Sequence, residues 1–296
     1  MILDKVIVCA PATTANIGPG FDVFAFALDM YNEATFERIE KGLEIVGCPK
    51  QYRTERNLAY RAYKAVFEAA GAEPGGVRIS ENSSIPVARG LGSSASMIAE
   101  GAVAANEMLN KPFGREELLK ICLGIESHPD NIVACLYGGF TAAFRDGEDI
   151  VVQHTMVNEG LKFYAIITDQ RVSTEKARGV MPENVNIADA VHNIARAAMI
   201  PRAFETGDKE RLGVLLEDKL HQPYRSELIE DYENVKRLAF DAGAYAWFIS
   251  GSGSTCIAMS DNPGFDISIG EALKEVKIDR KIVELSVDNK GASVRG

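Results

Sequence analysis

The sequence has only four histidines, one tryptophan and five cysteines among 296 residues, and these scarcities exclude several classes of protein. The histidines, at 128, 154, 192 and 221, are too scattered to build a zinc site. Cys9, Cys48, Cys122, Cys135 and Cys256 are odd in number and form no C-x-x-C pair. That suits reduced thiols in a cytoplasmic enzyme better than a disulfide framework. Cys122 shares a helical face with Leu118 and Ile125 and reads as a small core residue. No apolar stretch approaches the ~18–20 residues needed to cross a bilayer, so no membrane partner is expected. The opening run Met1–Ala10 has an apolar segment before small residues, but Asp4 and the shortness of the run favour a strand over a signal peptide. No Lys/Arg run exceeds two, and acidic residues outnumber basic ones by 42 to 32, so the footprint of a nucleic-acid binder is missing. A polyphosphate ligand would have to be held by local geometry. Internal repeats, low-complexity tracts and long linkers are absent as well.

What is present is material for a large core: 46% of residues are hydrophobic and 25% charged, enough for one bilobal unit or two domains. A strand over Lys5–Cys9 leads into a Gly-rich turn and a strand-rich stretch around Ala34–Ile45. Leu58, Ala62, Val66 and Ala69 recur at helical spacing, with Gly71 as the stop. A short strand at Val77–Ser80 precedes a second Gly-rich loop and an Ala-rich helix over Ser94–Leu109. Leu118, Leu119, Cys122 and Ile125 mark another helix, followed by a turn and a strand at Gly138–Phe144. In the second half, strands are predicted near Leu161–Thr168, Tyr245–Ser250, Cys256–Ser260 and Ile282–Val287. Helical patterns lie at Val191/Ile194/Ala198 and Leu212/Leu215/Leu216. This mixed order argues for α+β layers rather than a doubly wound parallel sheet, with domains at 1–155 and 156–296.

The most informative segment is Pro86-Val87-Ala88-Arg89-Gly90-Leu91-Gly92-Ser93-Ser94-Ala95-Ser96, two glycines leading straight into an Ala-rich helix. Glycine lets backbone N–H groups turn toward an anion, and the helix N-terminus adds about half a positive charge. An ordinary turn with a serine N-cap is the bland alternative. No Gly-Lys-[Ser/Thr] follows, so a P-loop is disfavoured. Pro11-Ala12-Thr13-Thr14-Ala15-Asn16-Ile17-Gly18-Pro19-Gly20-Phe21-Asp22 reads as a tight, hydroxyl-rich turn with Asp22 capping a short helix. Ser250-Gly251-Ser252-Gly253-Ser254-Thr255 joins two strands, and Glu126-Ser127-His128-Pro129-Asp130-Asn131 follows a helix.

Taken together, Pro11–Asp22, Pro86–Ser96 and Ser250–Thr255 resemble the three signature motifs of the GHMP small-molecule kinases, in the form typical of the homoserine kinase branch, and Glu126–Asn131 resembles that branch's Glu-Gly-His-Pro-Asp-Asn segment, at family-like spacing from residue 11 to 255. Serine stands at 254 where the family carries proline, and at 127 where it carries glycine. The resemblance implies a GHMP kinase fold: an N-terminal domain like ribosomal protein S5 domain 2 and a ferredoxin-like C-terminal domain. It implies ATP and Mg²⁺ as cofactors and L-homoserine as the acceptor, giving O-phospho-L-homoserine on the way to threonine. Residues 86 and 89–96 would wrap the phosphates, with Ser94 and Glu126 holding Mg²⁺ and Asn57 meeting the adenine. For the acceptor, Arg178 and Arg225 would grip the carboxylate, whose planar recognition suits a guanidinium fork. Asn16 and Asp22 would take the ammonium, His128 and Asn131 would contact the substrate, and Gly251 and Gly253 would close over it. Asn131 would orient the hydroxyl without a general base. That is tolerable, because a base typically supplies ~10²–10⁴-fold, less than the roughly 7–11 kcal/mol available from fixing two reactants in line. Another acceptor alcohol, threonine or mevalonate-type, and a non-catalytic regulator on the same scaffold remain as alternatives. The oligomeric state is left open, a homodimer being the assembly entertained.

Overall fold

The computed structural model describes residues 3–276 and 279–295. In chain order the elements of the first layer are β1 (Lys5–Ala15), β2 (Phe24–Ile39), β3 (Leu43–Val46), α1 (Leu58–Ala69), β4 (Gly76–Ser83), α2 (Ser93–Met108), α3 (Arg115–Leu123), α4 (Pro129–Tyr137), β5 (Phe140–Asp146) and β6 (Asp149–Thr155). Then follow β7 (Phe163–Thr168), α5 (Thr174–Gly179), α6 (Ile187–Ala197), α7 (Ile200–Thr206), α8 (Lys209–Leu215), α9 (Gln222–Arg225), α10 (Tyr232–Asp241), β8 (Ala244–Ile249), β9 (Cys256–Ser260), α11 (Phe265–Leu273), β10 (Arg280–Leu285) and β11 (Ser293–Val294). One sheet runs β11-β1-β2-β4-β3, with β5 joining β2 to β6; the other is antiparallel in the order β10-β7-β9-β8. The chain crosses from the first sheet to the second after Thr155. It returns after Leu285 to pair Val294 with Val8.

Helices α1 to α4 cover one face of the first sheet, burying Phe36, Tyr63, Phe67, Ile98 and Ile132. The other face meets the second sheet in an aromatic cluster. There Phe26 lies 4.8 Å from Phe163, 5.6 Å from Phe204 and 6.3 Å from Phe248, ring centre to ring centre. Buried aromatics of this size contribute about 1.5–3 kcal/mol each, so the two layers share a core that holds the cleft between them in one shape. A third cluster packs α10 and α11 on the far side of the second sheet.

Two local expectations are corrected. β1 continues through Pro11 to Ala15, so Thr13 and Thr14 lie on a strand; the turn is confined to Asn16–Val23, and no helix follows Asp22. Proline has no N–H to give the ladder, and the pairing register shifts between Pro11 and Ala12 to accommodate it. A helix, α4, occupies residues expected to form a turn. Its signals were Pro129 at the first helical position and Asp130 in the first turn, while its apolar run is too short to declare a period. Gly138 and Gly139 both have positive φ, so the following strand starts only at Phe140.

Glu100 is 2% exposed in the middle of α2, and its Oε1 has no hydrogen-bond partner. Burial, reinforced by Glu81 and Glu33, pushes its pKa well above the ordinary 4.5. The folded state therefore keeps a proton that the unfolded chain releases, and stability falls as pH rises from 4.5 toward the raised value. Glu100→Gln is expected to remove that slope. In melts from pH 5 to pH 9 the gap in Tm between variant and parent should widen with pH, and a constant gap would contradict it.

Candidate active site

The segments singled out in the sequence meet at one end of both sheets. The Thr13 amide donates to Leu91 O at 3.2 Å, and the Gly251 amide to Ala15 O at 3.0 Å. The Ser250 hydroxyl donates to Gly90 O at 2.6 Å and lies 2.8 Å from the Thr14 hydroxyl. The Thr255 amide donates to Arg89 O at 3.2 Å. These approaches need glycine: a Cβ on Gly90 (φ 78°) would lie 2.1 Å from Ser250 O, and one on Gly92 (φ 66°) 1.8 Å from Thr13 Oγ1.

Between these loops opens a cleft of about 720 Å³. One end is lined by the backbone of residues 87–95 and the start of α2, where the first helical amides have no carbonyl four residues back to bond. Ser94 is exposed to the cleft and Ser93 is nearly buried. Arg89 turns its guanidinium away, donating to the carbonyls of Thr168, Asp169 and Val87 at 2.7, 2.5 and 3.2 Å, so it anchors the glycine loop to the end of β7. Ser254, standing where the family has proline, makes its own anchor: its hydroxyl donates to Gln170 O at 2.5 Å and accepts from Thr168 Oγ1 at 2.9 Å. Glu126 lines the same cleft, and among the described residues its carboxylate has no hydrogen bond or ion pair.

The other end is charged. Asp22 Oδ1 lies 2.8 Å from Arg178 Nη2, which also reaches His128 Nδ1 at 3.2 Å. Arg225 is 2% exposed, yet its guanidinium meets only two carbonyls, Gly251 O at 3.0 Å and Ala177 O at 3.3 Å, and no carboxylate. Burial lowers its pKa, with Asp22 opposing and Arg178 adding to the effect. A buried cation without an ion partner is costly unless an anion completes it. Phe21 supports this end, with its ring 4.7 Å from the Arg225 guanidinium, 5.8 Å from that of Arg178, and stacked on His221 at 5.4 Å. His221 is fully buried and donates from Nε2 to Gly18 O at 2.7 Å; burial holds its pKa down, so the ring is neutral under the arginine.

Asn131 is held between these two ends. Its Oδ1 accepts from the Thr13 hydroxyl at 2.7 Å, and its Nδ2 donates to Asp130 Oδ1 at 3.1 Å. Asp130 is almost fully buried, which raises its pKa, and the Asn131 amide bonding the same oxygen at 2.7 Å opposes that rise.

The structure thus brings Asn16, Asp22, residues 89–95, Glu126, His128, Asn131, Arg178, Arg225 and Gly251 to one cleft. Four expected residues do not line it. Asn57 is 3% exposed and spends its side chain on the Tyr60 amide, Tyr52 O and Glu81, as a helix cap. Ser96 is buried against Asn32 and Ser93 O, Pro86 lies outside the lining, and Gly253 closes the turn behind it by donating to Ser250 O. Asn16 lines the cleft, but its carboxamide is a tie, donating to Gly251 O at 2.8 Å and accepting from the Asp22 amide at 2.9 Å. Sequence reasoning passed over Thr13, Phe21 and Asp130. All three sit inside motifs already noticed; their positions beside functional groups arise only on folding.

A glycine-walled anion cradle at a helix start, facing a pocket with poles of both charges, defines a small-molecule kinase of the GHMP class. The GHMP kinases N terminal domain matches residues 57–139, and the GHMP kinases C terminal domain residues 201–278. The chain is 41% identical over 292 residues to the homoserine kinase of Clostridium beijerinckii, covering 98% of each chain. It is 39% identical over 286 residues to that of Clostridium botulinum, covering 96% of each. The crystal structure of homoserine kinase from Cytophaga hutchinsonii superimposes with a TM-score of 0.89 at 30% identity, covering 100% of this chain and 98% of that one. The chain belongs to the homoserine kinase family.

Proposed function

We propose that this protein transfers the γ-phosphoryl group of ATP to the side-chain hydroxyl of L-homoserine, releasing ADP and O-phospho-L-homoserine. The observation that carries the reading is Arg225, a buried cation lacking a carboxylate, beside the Asp22–Arg178 pair. In the free protein the poles at Asp22 and Arg178 close on each other. An α-amino acid offers a carboxylate to the guanidinium groups and an ammonium to Asp22, exchanging one ion pair for two. A simple carboxylic acid would leave Asp22 without its arginine and give it no cation in return.

The phosphate end fits ATP, since amides free of partners and a helix N-terminus neutralise spreading negative charge on the transferred group. The oxygen donors there, one carboxylate at Glu126 and one hydroxyl at Ser94, suit Mg²⁺, which keeps waters and phosphate oxygens in its shell. No cluster of three His, Cys, Asp or Glu that could hold a metal exists among the described residues, consistent with an ion that arrives with its nucleotide. Bound there, Mg²⁺ would supply charge neutralisation. Asn131, fixed by Thr13 and Asp130, orients the acceptor hydroxyl. Its carboxamide takes no proton, and Asp130 Oδ1 is engaged by Asn131, so in this reading positioning supplies most of the acceleration and the hydroxyl proton leaves to an oxygen of the transferred phosphoryl group or to water as the new P–O bond forms and the bond to ADP breaks.

The test is ADP release with homoserine, threonine and R-mevalonate as acceptors, where homoserine is expected to give the highest kcat/KM. A preference for mevalonate, or tight homoserine binding with no ADP produced, would remove the reading. Glu126→Gln is expected to lower kcat by about 10²-fold and to raise the Mg²⁺ requirement, while homoserine KM stays nearly constant. An unchanged Mg²⁺ dependence would remove Glu126 from the metal site.

A further inference from the structure

The two poles of the acceptor pocket sit on weak local structure. Asp22 belongs to the turn over residues 16–23, and its own φ is 59°, a left-handed conformation that a residue with a Cβ keeps only when its surroundings fix it. Arg225 ends α9, a helix of four residues, too short to stand by its own hydrogen bonds. A buried polar unit lies behind both. The Asp218 carboxylate, its side chain fully buried, accepts from the amides of Leu220, His221 and Gln222 at 3.0, 2.9 and 2.6 Å and from Asn193 Nδ2 at 2.6 Å. These are the amides that lead into α9. Gln222 in turn accepts from the Ile249 amide at 2.7 Å, tying the helix to the strand end before Gly251, whose carbonyl takes Arg225.

From the same unit two donors cross to the turn that carries Asp22. His221 Nε2 donates to Gly18 O at 2.7 Å, a bond spanning 203 positions, and Asn193 Nδ2 reaches Pro19 O at 3.5 Å. Buried carbonyls need such partners, and Gly18, Pro19 and Gly20 carry no polar side chain to supply them locally. The approach is close, since a Cβ on Gly18 would lie 2.5 Å from Leu216 O. The His221 ring also stacks on Phe21, whose other neighbour is the Arg225 guanidinium at 4.7 Å. One side chain thus meets the support of both poles. We infer, on the proposed seating of an amino acid between these poles, that His221 is a positioning residue for the acceptor. Held by Asp218, it fixes the separation of Asp22 from Arg225 and so selects substrates whose ammonium and carboxylate are borne on one carbon. His221 is fully buried and lies outside the cleft lining, so it acts through the two poles and touches no reacting atom. Without that tie the carboxylate still finds Arg225, but the ammonium no longer adds to binding.

The experiment compares kcat/KM for L-homoserine with that for 4-hydroxybutyrate, the same alcohol without its ammonium, in His221→Phe and His221→Gln, with circular dichroism and melting to confirm folding. Phenylalanine keeps the stack on Phe21 and loses the donor. Glutamine places an N–H where the ring's Nε2–H stood and loses the stack. Misplacing a positioned group by about 1 Å can cost ~10²-fold, so His221→Phe is expected to lower kcat/KM for homoserine by about that factor, through KM rather than kcat. The 4-hydroxybutyrate value should change much less and the KM for ATP should hold, while His221→Gln recovers most of the loss. A general loss of stability would lower both acceptors alike, so an unchanged ratio in His221→Phe overturns the inference, as does a His221→Gln enzyme no better than His221→Phe. Should His221→Phe not fold, Asn193→Ala, which removes the second donor to the turn, is expected to narrow the same ratio, and a ratio equal to the parent's overturns it. Arg225→Ala tests the seating separately. Unchanged homoserine kinetics there would remove the seating itself, whereas a loss in Arg225→Ala beside a silent His221→Phe removes only the positioning role.

Discussion

Replacing Arg225 with alanine is expected to raise the KM for homoserine by about 10²–10³-fold while the KM for ATP stays within about twofold. Removing one member of a desolvated charge pair typically costs 2–5 kcal/mol, and the partner stranded here would be the substrate carboxylate. Arg225 reaches the phosphate end only by donating to Gly251 O at 3.0 Å and touches none of residues 87–95, so nucleotide binding is largely spared. The same substitution should act oppositely on the free protein. Without substrate the guanidinium is buried with only two carbonyl partners and a pKa lowered by desolvation, so the fold bears the cost of a charge that pays off only in the complex. Arg225→Met, which keeps volume and removes charge, should raise Tm by roughly 2–4 °C for about 1 kcal/mol of relief. Isothermal titration with homoserine and thermal melts measure the two effects. Homoserine kinetics left unchanged in Arg225→Ala would refute the carboxylate role. A fall in Tm for Arg225→Met would mean that packing, rather than a stored electrostatic cost, dominates at this site.

The second large effect is expected from Gly90→Ala. The added Cβ would sit 2.1 Å from Ser250 O and 3.0 Å from Gly253 O, both backbone atoms that cannot swing aside, at a φ of 78° that alanine rarely adopts. The third glycine loop must move away from the phosphate loop of residues 86–96, breaking the Ser250–Gly90 hydrogen bond and spreading the amides that face the phosphates. Losing one preorganised donor typically costs about 10²–10³ in rate, and kcat/KM for ATP should fall by at least that. Gly147→Ala is the control, because it replaces another positive-φ glycine whose added Cβ meets nothing within 4 Å. It should cost some stability through φ alone and leave ATP kinetics unchanged. If both variants impaired ATP use equally, backbone strain rather than loop separation would be the cause.

Element type was legible along much of the chain because burial imposes period. The α1 stripe from Leu58 to Ala69 and the buried run of β7 carry patterns long enough to separate helix from strand. Where the pattern was short or interrupted, the reading failed: α4 is nine residues with mixed signals, and Pro11 suggested an end to β1 that a register shift avoids. The glycine motifs and both arginines were visible as residue types. Whether a side chain is free to meet a ligand was not. Asn57, Asn16 and Arg89 looked available in sequence and are engaged with protein partners, whereas Glu126 and Arg225 are left open.

By itself the sequence determined the α+β class, the family and the order of the glycine segments, because local backbone needs and hydrophobic spacing are written residue by residue. Only the tertiary structure decided which donors remain unspent. Bringing residues 22, 178 and 225 together pairs some charges and isolates another, and which of them is isolated depends on contacts between residues as far apart as 156 positions.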